Sequence, residues 1–151
     1  ELDRLPDPVE AHRRRGAPFT FNPHALVSLV RHLRNEPHIE HIKAPSFDHA
    51  IGDPVEDDIV VLPFHKILIL EGLYLHLAEH PWKDVHNLAD ESWFVECSLE
   101  VAKERLVRRH VASGICKDEQ SAAERAEAND LVNAIYILEH SLPPSRVFGT
   151  G

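Results

Sequence analysis

Apolar and polar positions fall along this chain in blocks, and the sharpest block is Ile67-Leu68-Ile69-Leu70, four aliphatic residues running into Glu71 and Gly72. A run this short and continuous has no helical spacing. It predicts a strand buried on both faces, as in a parallel sheet covered by helices. Trp93-Phe94-Val95-Glu96-Cys97 is aromatic and β-branched and predicts a second strand. Between His24 and Arg34, Leu26, Leu29, Val30 and Leu33 recur at helical spacing, with Asn22 as cap and Pro23 at the first helical position. Ser98 is placed to cap a helix running to about His110 or Val111. Ser121 to His140 is a further helical stretch, with Leu131, Ile135 and Leu138 along one face and Pro143 and Pro144 at its end. Arg146-Val147-Phe148 begins a last strand.

The remaining blocks are polar. Residues 1–22 are broken by Pro6, Pro8 and Pro18. From Pro37 to Pro63 the chain reads as irregular: Asp53, Glu56, Asp57 and Asp58 cluster around Pro54, and Ile59-Val60-Val61-Leu62 follows as an edge-strand candidate. A connection this long in a compact domain signals function or disorder. Strands alternating with helices predict a single α/β domain over residues 1–151.

Composition agrees. With 151 residues, 43% of them apolar, the chain can bury one ordinary core. A net charge of −9 offers no basic field for nucleic acid or an anionic membrane, so any phosphate site must be local. Cys97 and Cys116 lack Cys-x-x-Cys spacing and are expected as free thiols in a reducing, cytoplasmic compartment. No apolar segment reaches the ~18–20 residues that span a bilayer, and no leader pattern opens the chain. Twelve histidines invite a metal reading, but His38 and His41 are followed by no His-Glu-x-x-His or Cys/His set. The chain opens on Glu1 and contains no methionine, from which a fragment of a longer protein is expected.

Four groups of residues could carry chemistry. Glu71 lies at the carboxyl end of the predicted central strand, where parallel sheets place ligands, and such a carboxylate can hold a Mg²⁺-bound water. It could equally cap a helix or form a salt bridge. Arg105, Arg108 and Arg109 fall within an arc of about 100° on their helix, away from Leu99, Ala102 and Leu106. Guanidinium forks suit polyphosphate oxygens, whereas a solvated face with Glu104 paired to Arg108 is the plainer meaning. Gly114 would end that helix and let the segment beyond it move as a lid. The run from Ala11 through Arg13, Arg14, Arg15 and Gly16 to Phe21 could grip an anionic or planar substrate, or be a solvated basic loop. In Pro45-Ser46-Phe47-Asp48-His49, Phe47 could stack on a ring and Asp48 bond a substrate hydroxyl, while His49 could simply cap the loop.

Taken in order, these segments resemble the uridine kinase and phosphoribulokinase group of P-loop kinases, especially its uridine-kinase-like members. The likeness rests on Leu5-Pro6-Asp7-Pro8, the Arg14–Phe21 run, Pro45–Ala50, Asp53–Ile59, Ile69–Leu75, Trp93–Glu96, Arg105–Ile115 and Asn129-Asp130-Leu131-Val132-Asn133. The part from Arg14 to Gly72 is also similar to type I pantothenate kinase. The resemblance implies a three-layer parallel sheet of the P-loop NTPase type that uses ATP and Mg²⁺ to phosphorylate a hydroxyl of a small molecule. It implies Glu71 at the metal, Phe47, Asp48 and His49 in the acceptor pocket with Arg14 and Arg15 beside it, and Arg105 and Arg109, with neighbouring Arg108, in a phosphate-closing lid.

The Gly-x-x-x-x-Gly-Lys-Ser/Thr loop of such kinases and the segment bearing their catalytic aspartate do not occur in this sequence. The sheet is therefore expected to be incomplete and the chain inactive alone, with association into homo-oligomers as one way to cover it. The alternatives are a noncatalytic nucleotide-binding or interaction module, and a pantothenate-like acceptor. A Rossmann oxidoreductase is disfavoured because no Gly-x-Gly-x-x-Gly follows a strand.

Overall fold

The computed structural model describes residues 2–35, 41–47 and 54–150. Its elements run α1 (Pro8–Arg13), α2 (Pro23–Asn35), β1 (Ile42–Phe47), β2 (Pro54–Val61), α3 (Trp82–Leu88), β3 (Trp93–Glu96), α4 (Leu99–Ala112), α5 (Glu119–Arg125), a π-turn (Ala126–Asp130), α6 (Leu131–His140) and β4 (Arg146–Gly149). The architecture is α/β. β3 and β4 pair in parallel, Trp93 opposite Arg146 and Glu96 opposite Gly149, so the helical run α4–α6 is the crossover that parallel strands require.

The helices begin where the capping chemistry places them. Asn22 Oδ1 accepts from the Ala25 N–H at 3.0 Å, and Ser98 Oγ accepts from the Val101 N–H at 3.2 Å. Asp118 and Ser121 form a reciprocal box at the start of α5. α4 stops at Ser113 and Gly114, whose φ of +71° is the left-handed conformation that glycine adopts without a Cβ clash.

The core lies among the helices. Val27 and Val30 of α2 pack on Val85 of α3, with Leu26, Leu75 and Leu88 around them. Leu26 also borders a second cluster of Tyr74, Leu77, Trp82 and Ile137, flanked by Phe94 and Tyr136. Phe21 presents its ring edge-on to Tyr74 (5.4 Å) and Trp82 (6.1 Å). Each large side chain buried this way contributes about 1.5–3 kcal/mol. No described helix is long and apolar enough to cross a membrane.

Two expectations are corrected. The run Ile67–Leu70 forms no strand and joins no ladder among the described residues, and Ile67 and Ile69 are 82% and 87% exposed rather than buried. Its composition favours extension, but burial needs a neighbour on each side, and no described strand lies alongside. On α6 Ile135 and Leu138 are exposed, while Asn133 and Ile137, with Asn129 of the preceding π-turn, are buried. The buried asparagines have polar partners there, described below, which removes the penalty that would otherwise expel them.

The segment read as irregular instead contains an antiparallel β1–β2 arm. Its ladder pairs Ile42 with Val61, Ala44 with Ile59 and Ser46 with Val55, leaving Pro45 opposite the three residues Glu56, Asp57 and Asp58. Pro45 has no N–H to donate, so the ladder breaks and the acidic residues bulge. Asp57 takes a φ of +60°, and Ser46 Oγ donates to Asp58 Oδ2 at 2.6 Å.

Candidate functional site

Parallel strands collect ligands at their carboxyl ends. A cleft of about 380 Å³ lies there, lined by Glu96, Cys97, Ser98, Gly149 and Thr150, where β3 and β4 finish and α4 begins. Arg105 reaches this edge from α4, its Nη1 donating to Thr150 Oγ1 at 3.2 Å. Arg108 and Arg109 are exposed on the same helix; Arg108 pairs with Glu104 one turn back, the plainer of its two meanings. The Arg109 side chain has no ion-pair partner among the described residues.

Glu71 follows the apolar run and is exposed, with no hydrogen-bond or ion-pair partner among the described residues. Gly72 next to it lies under the Leu75 side chain, 3.4 Å from where a Cβ would stand. Two residues further on, Tyr74 is buried and its hydroxyl donates to the Gly16 carbonyl at 2.5 Å. Burial pushes this phenol up to about 12, against the opposing pull of the Arg14 charge. The turn after Glu71 is thus fastened to the loop that follows α1.

That loop holds Arg14 and Arg15. Arg14 is half-buried, donating from Nε to Asn129 Oδ1 at 2.9 Å and from Nη2 to Asn133 Oδ1 at 3.2 Å. Asn129 Nδ2 in turn donates to the Arg15 carbonyl at 2.9 Å. Arg14 therefore has a structural partner set, whichever substrate it meets. Phe47 is half-exposed at the end of β1, on the projecting arm. Asp48 and His49 lie outside the described residues. The structure thus brings Arg14 and Arg15 to the π-turn and α6, and Arg105 to the β3–β4 edge.

Several residues of this neighbourhood enter the linear reading only as members of the segments that carry the family likeness, with no role assigned to them. Asn129 and Asn133 sit four apart on a helix, the spacing that puts two side chains on one face, and that was their available signal. Tyr74, and His110 with Asp130 (Nε2 to Oδ2, 2.8 Å), carry no local signal. His76 Nε2 contacts the Trp93 carbonyl at 3.1 Å, so it carries the proton; its Nδ1 accepts from His86 Nδ1 at 3.3 Å. Burial first, and the neighbouring His76 second, hold His86 below the usual histidine range.

An α/β domain with a parallel strand pair, an exposed carboxylate after an apolar run and arginines on α4 has some of the features of a phosphoryl-transfer fold, without the glycine-rich phosphate loop in this sequence. The comparisons sharpen this. No protein-family model matches the chain. It is 46% identical over 145 residues to the ATP-dependent kinase-like protein notR' of Aspergillus versicolor, covering 95% of this chain and 84% of that protein. It is 43% identical to a Schizosaccharomyces pombe protein provisionally named a uridine kinase, spanning 97% of this chain and 62% of that one. Among solved structures, a protein of Silicibacter sp. TM1040 provisionally described as a fructose transport system kinase superposes with a TM-score of 0.86 at 31% identity, over 97% of this chain and 68% of that one. YFH7 of Saccharomyces cerevisiae, described as a P-loop kinase with a circular permutation, superposes with a TM-score of 0.83 at 29% identity, over 99% of this chain and 53% of its own. The chain belongs to the P-loop kinase family.

Proposed function

We propose that the protein carrying this chain transfers the γ-phosphoryl group of ATP to a hydroxyl of a small molecule, with nucleosides such as uridine as the acceptor class. The observation that carries the reading is the 46% identity with an ATP-dependent kinase-like protein over 95% of this chain. The 43% identity with a protein named as a uridine kinase supports the acceptor class.

The residues present fit the groups such a reaction uses. Mg²⁺ takes oxygen donors, usually one or two carboxylates completed by water and phosphate, and Glu71 offers an exposed carboxylate, unpaired among the described residues, of that kind. When bound, the ion neutralises charge on the phosphate oxygens. Arg105 and Arg109, with Arg108 between their turns, present guanidinium forks for the same oxygens from α4. Phe47, Asp48 and His49 would line the acceptor pocket, and Arg14 and Arg15 shape its far side. The acceptor oxygen forms the new bond to phosphorus as the bond to the ADP oxygen breaks, and the acceptor proton leaves to a base.

A second reading, a noncatalytic nucleotide-binding or interaction module, is favoured by one observation: the exposed Ile67–Leu70 run offers an apolar docking strip beside Glu71. Calorimetry with Mg²⁺ and a nonhydrolysable ATP analogue, followed by turnover assays with uridine and with pantothenate, separates the two. Binding and turnover that Glu71→Gln lowers by about 10²-fold or more support the kinase. Turnover with pantothenate alone changes the acceptor class. Binding without turnover by the full-length protein selects the noncatalytic reading, and absence of binding sinks the nucleotide site.

A further inference from the structure

The five-residue π-turn between α5 and α6 is tied down on two sides. Asn129 faces the loop after α1, accepting from Arg14 Nε and donating to the Arg15 carbonyl, both at 2.9 Å. Its neighbour Asp130 faces α4, where it accepts from His110 Nε2 at 2.8 Å. His110 is only 5% exposed, and its Nδ1 has no partner among the described residues, so among them the Asp130 bond is the ring's one polar anchor. A second tie to α4 joins Glu127 to Lys103, two turns before His110. The loop end of the network continues through the Gly16 carbonyl to the Tyr74 hydroxyl at 2.5 Å, three residues beyond Glu71.

We propose that this π-turn is a relay in which Asn129 and Asp130 are positioning residues that link the arginine-bearing helix α4 to the Arg14–Gly16 loop and, through Tyr74, to the turn after Glu71. The proposal rests on the kinase reading for what α4 and the loop bind, but the mechanical link stands on these contacts alone. Two properties suit the element to the task. π-turns carry one residue more than the α-helical register and recur at functional sites, because that residue can be absorbed or released as neighbouring turns shift. Adjacent side chains in a helical backbone diverge by about 100°, so Asn129 and Asp130 reach two different bodies from one rigid piece of backbone. A displacement of α4 therefore reaches Arg14 through the π-turn. Coupling through such networks typically changes affinity at the second site by about 5–150-fold.

The test follows the Arg14 Nε–H by nitrogen-15 NMR in the full-length protein. Neither His110 nor Asp130 touches Arg14. Without ligand, His110→Gln and Asp130→Asn are each expected to speed solvent exchange of that proton roughly tenfold, the equivalent of about one hydrogen bond. Lys103→Met, a surface change that cuts the second tie, gives the same direction if either buried variant fails to fold. Exchange unchanged in the folded variants overturns the relay. Titration with Mg²⁺ and the nonhydrolysable ATP analogue is then expected to shift the Arg14 resonance in the wild type and to lose that shift in His110→Gln. A shift that persists in the variant, or binding that leaves Arg14 unmoved in the wild type, overturns the relay and leaves the kinase reading standing. No binding by the wild type overturns the kinase reading, and the ligand-free exchange alone then decides the relay.

Discussion

Arg14 and Asn129, 115 residues apart in sequence, meet through a 2.9 Å hydrogen bond from the guanidinium Nε to the amide oxygen. A second bond, to Asn133, uses another nitrogen of the same planar fork. An ammonium cannot reproduce two such bonds from fixed positions. Arg14→Lys is therefore expected to destabilise the protein by about 1–3 kcal/mol, because the part-buried asparagine oxygens lose donors. Urea unfolding measures this; a change below about 0.5 kcal/mol would show that the fork is dispensable.

The Tyr74 hydroxyl gives a prediction with a pH signature. Its ionisation lies at about 12 instead of the ordinary 10.0, because burial disfavours the phenolate. A raised pKa of this kind contributes stability that is complete below pH 10 and is lost as pH rises through 12. Tyr74→Phe should cost about 1 kcal/mol at neutral pH through the bond to Gly16, and should flatten the alkaline loss of stability. Unfolding curves at neutral and alkaline pH for both proteins test this, and equal alkaline slopes would remove Tyr74 from the account.

The His76–His86 pair acts at the opposite end of the scale. His86 is held below its ordinary value of 6.5, chiefly by burial, so the folded state binds fewer protons than the unfolded chain. Its contribution is fully present above pH 6.5 and is lost as pH falls through the lowered folded value. Protonating both rings would also set two Nδ1–H donors against each other. Stability should fall on acidification below about pH 6.5, and less steeply in His86→Asn, a difference that paired melts in the two proteins can resolve.

Ile69 provides a contrast in magnitude. At 87% exposure it should tolerate Ile69→Lys with a change in unfolding free energy within about 0.5 kcal/mol. A buried central-strand residue would instead cost several kcal/mol through an unpaired buried charge. A large loss for this variant in unfolding experiments would mean that the strip is covered in solution.

These cases show what a linear reading can reach. α2 and α4 are legible because amphipathic spacing and a capping side chain, Asn22 or Ser98, are local signals that survive in the fold. β3 and β4 are legible from composition, and their parallel pairing from the helices between them. The Ile67–Leu70 run misleads because composition specifies extension while burial depends on distant neighbours. The alignment of Leu131, Ile135 and Leu138 does not reveal that Asn129 and Asn133 are buried beside α6, because their partner Arg14 lies more than a hundred residues away. Glu71 and Arg105 are visible as chemistry, but Arg14 reads as a loop cation and is in fact a bolt between two parts of the molecule.

The break at Pro45 has a consequence for life in a crowded solution. The β1–β2 arm exposes Phe47, Val55, Ile59 and Val60, and a regular ribbon with those side chains would be a template onto which other molecules could stack. A proline without a donor on one strand, and a pouch of three carboxylates opposite it, interrupt and charge that ribbon midway along its length. The arm can keep these apolar side chains at its surface without acting as a seed for fibres.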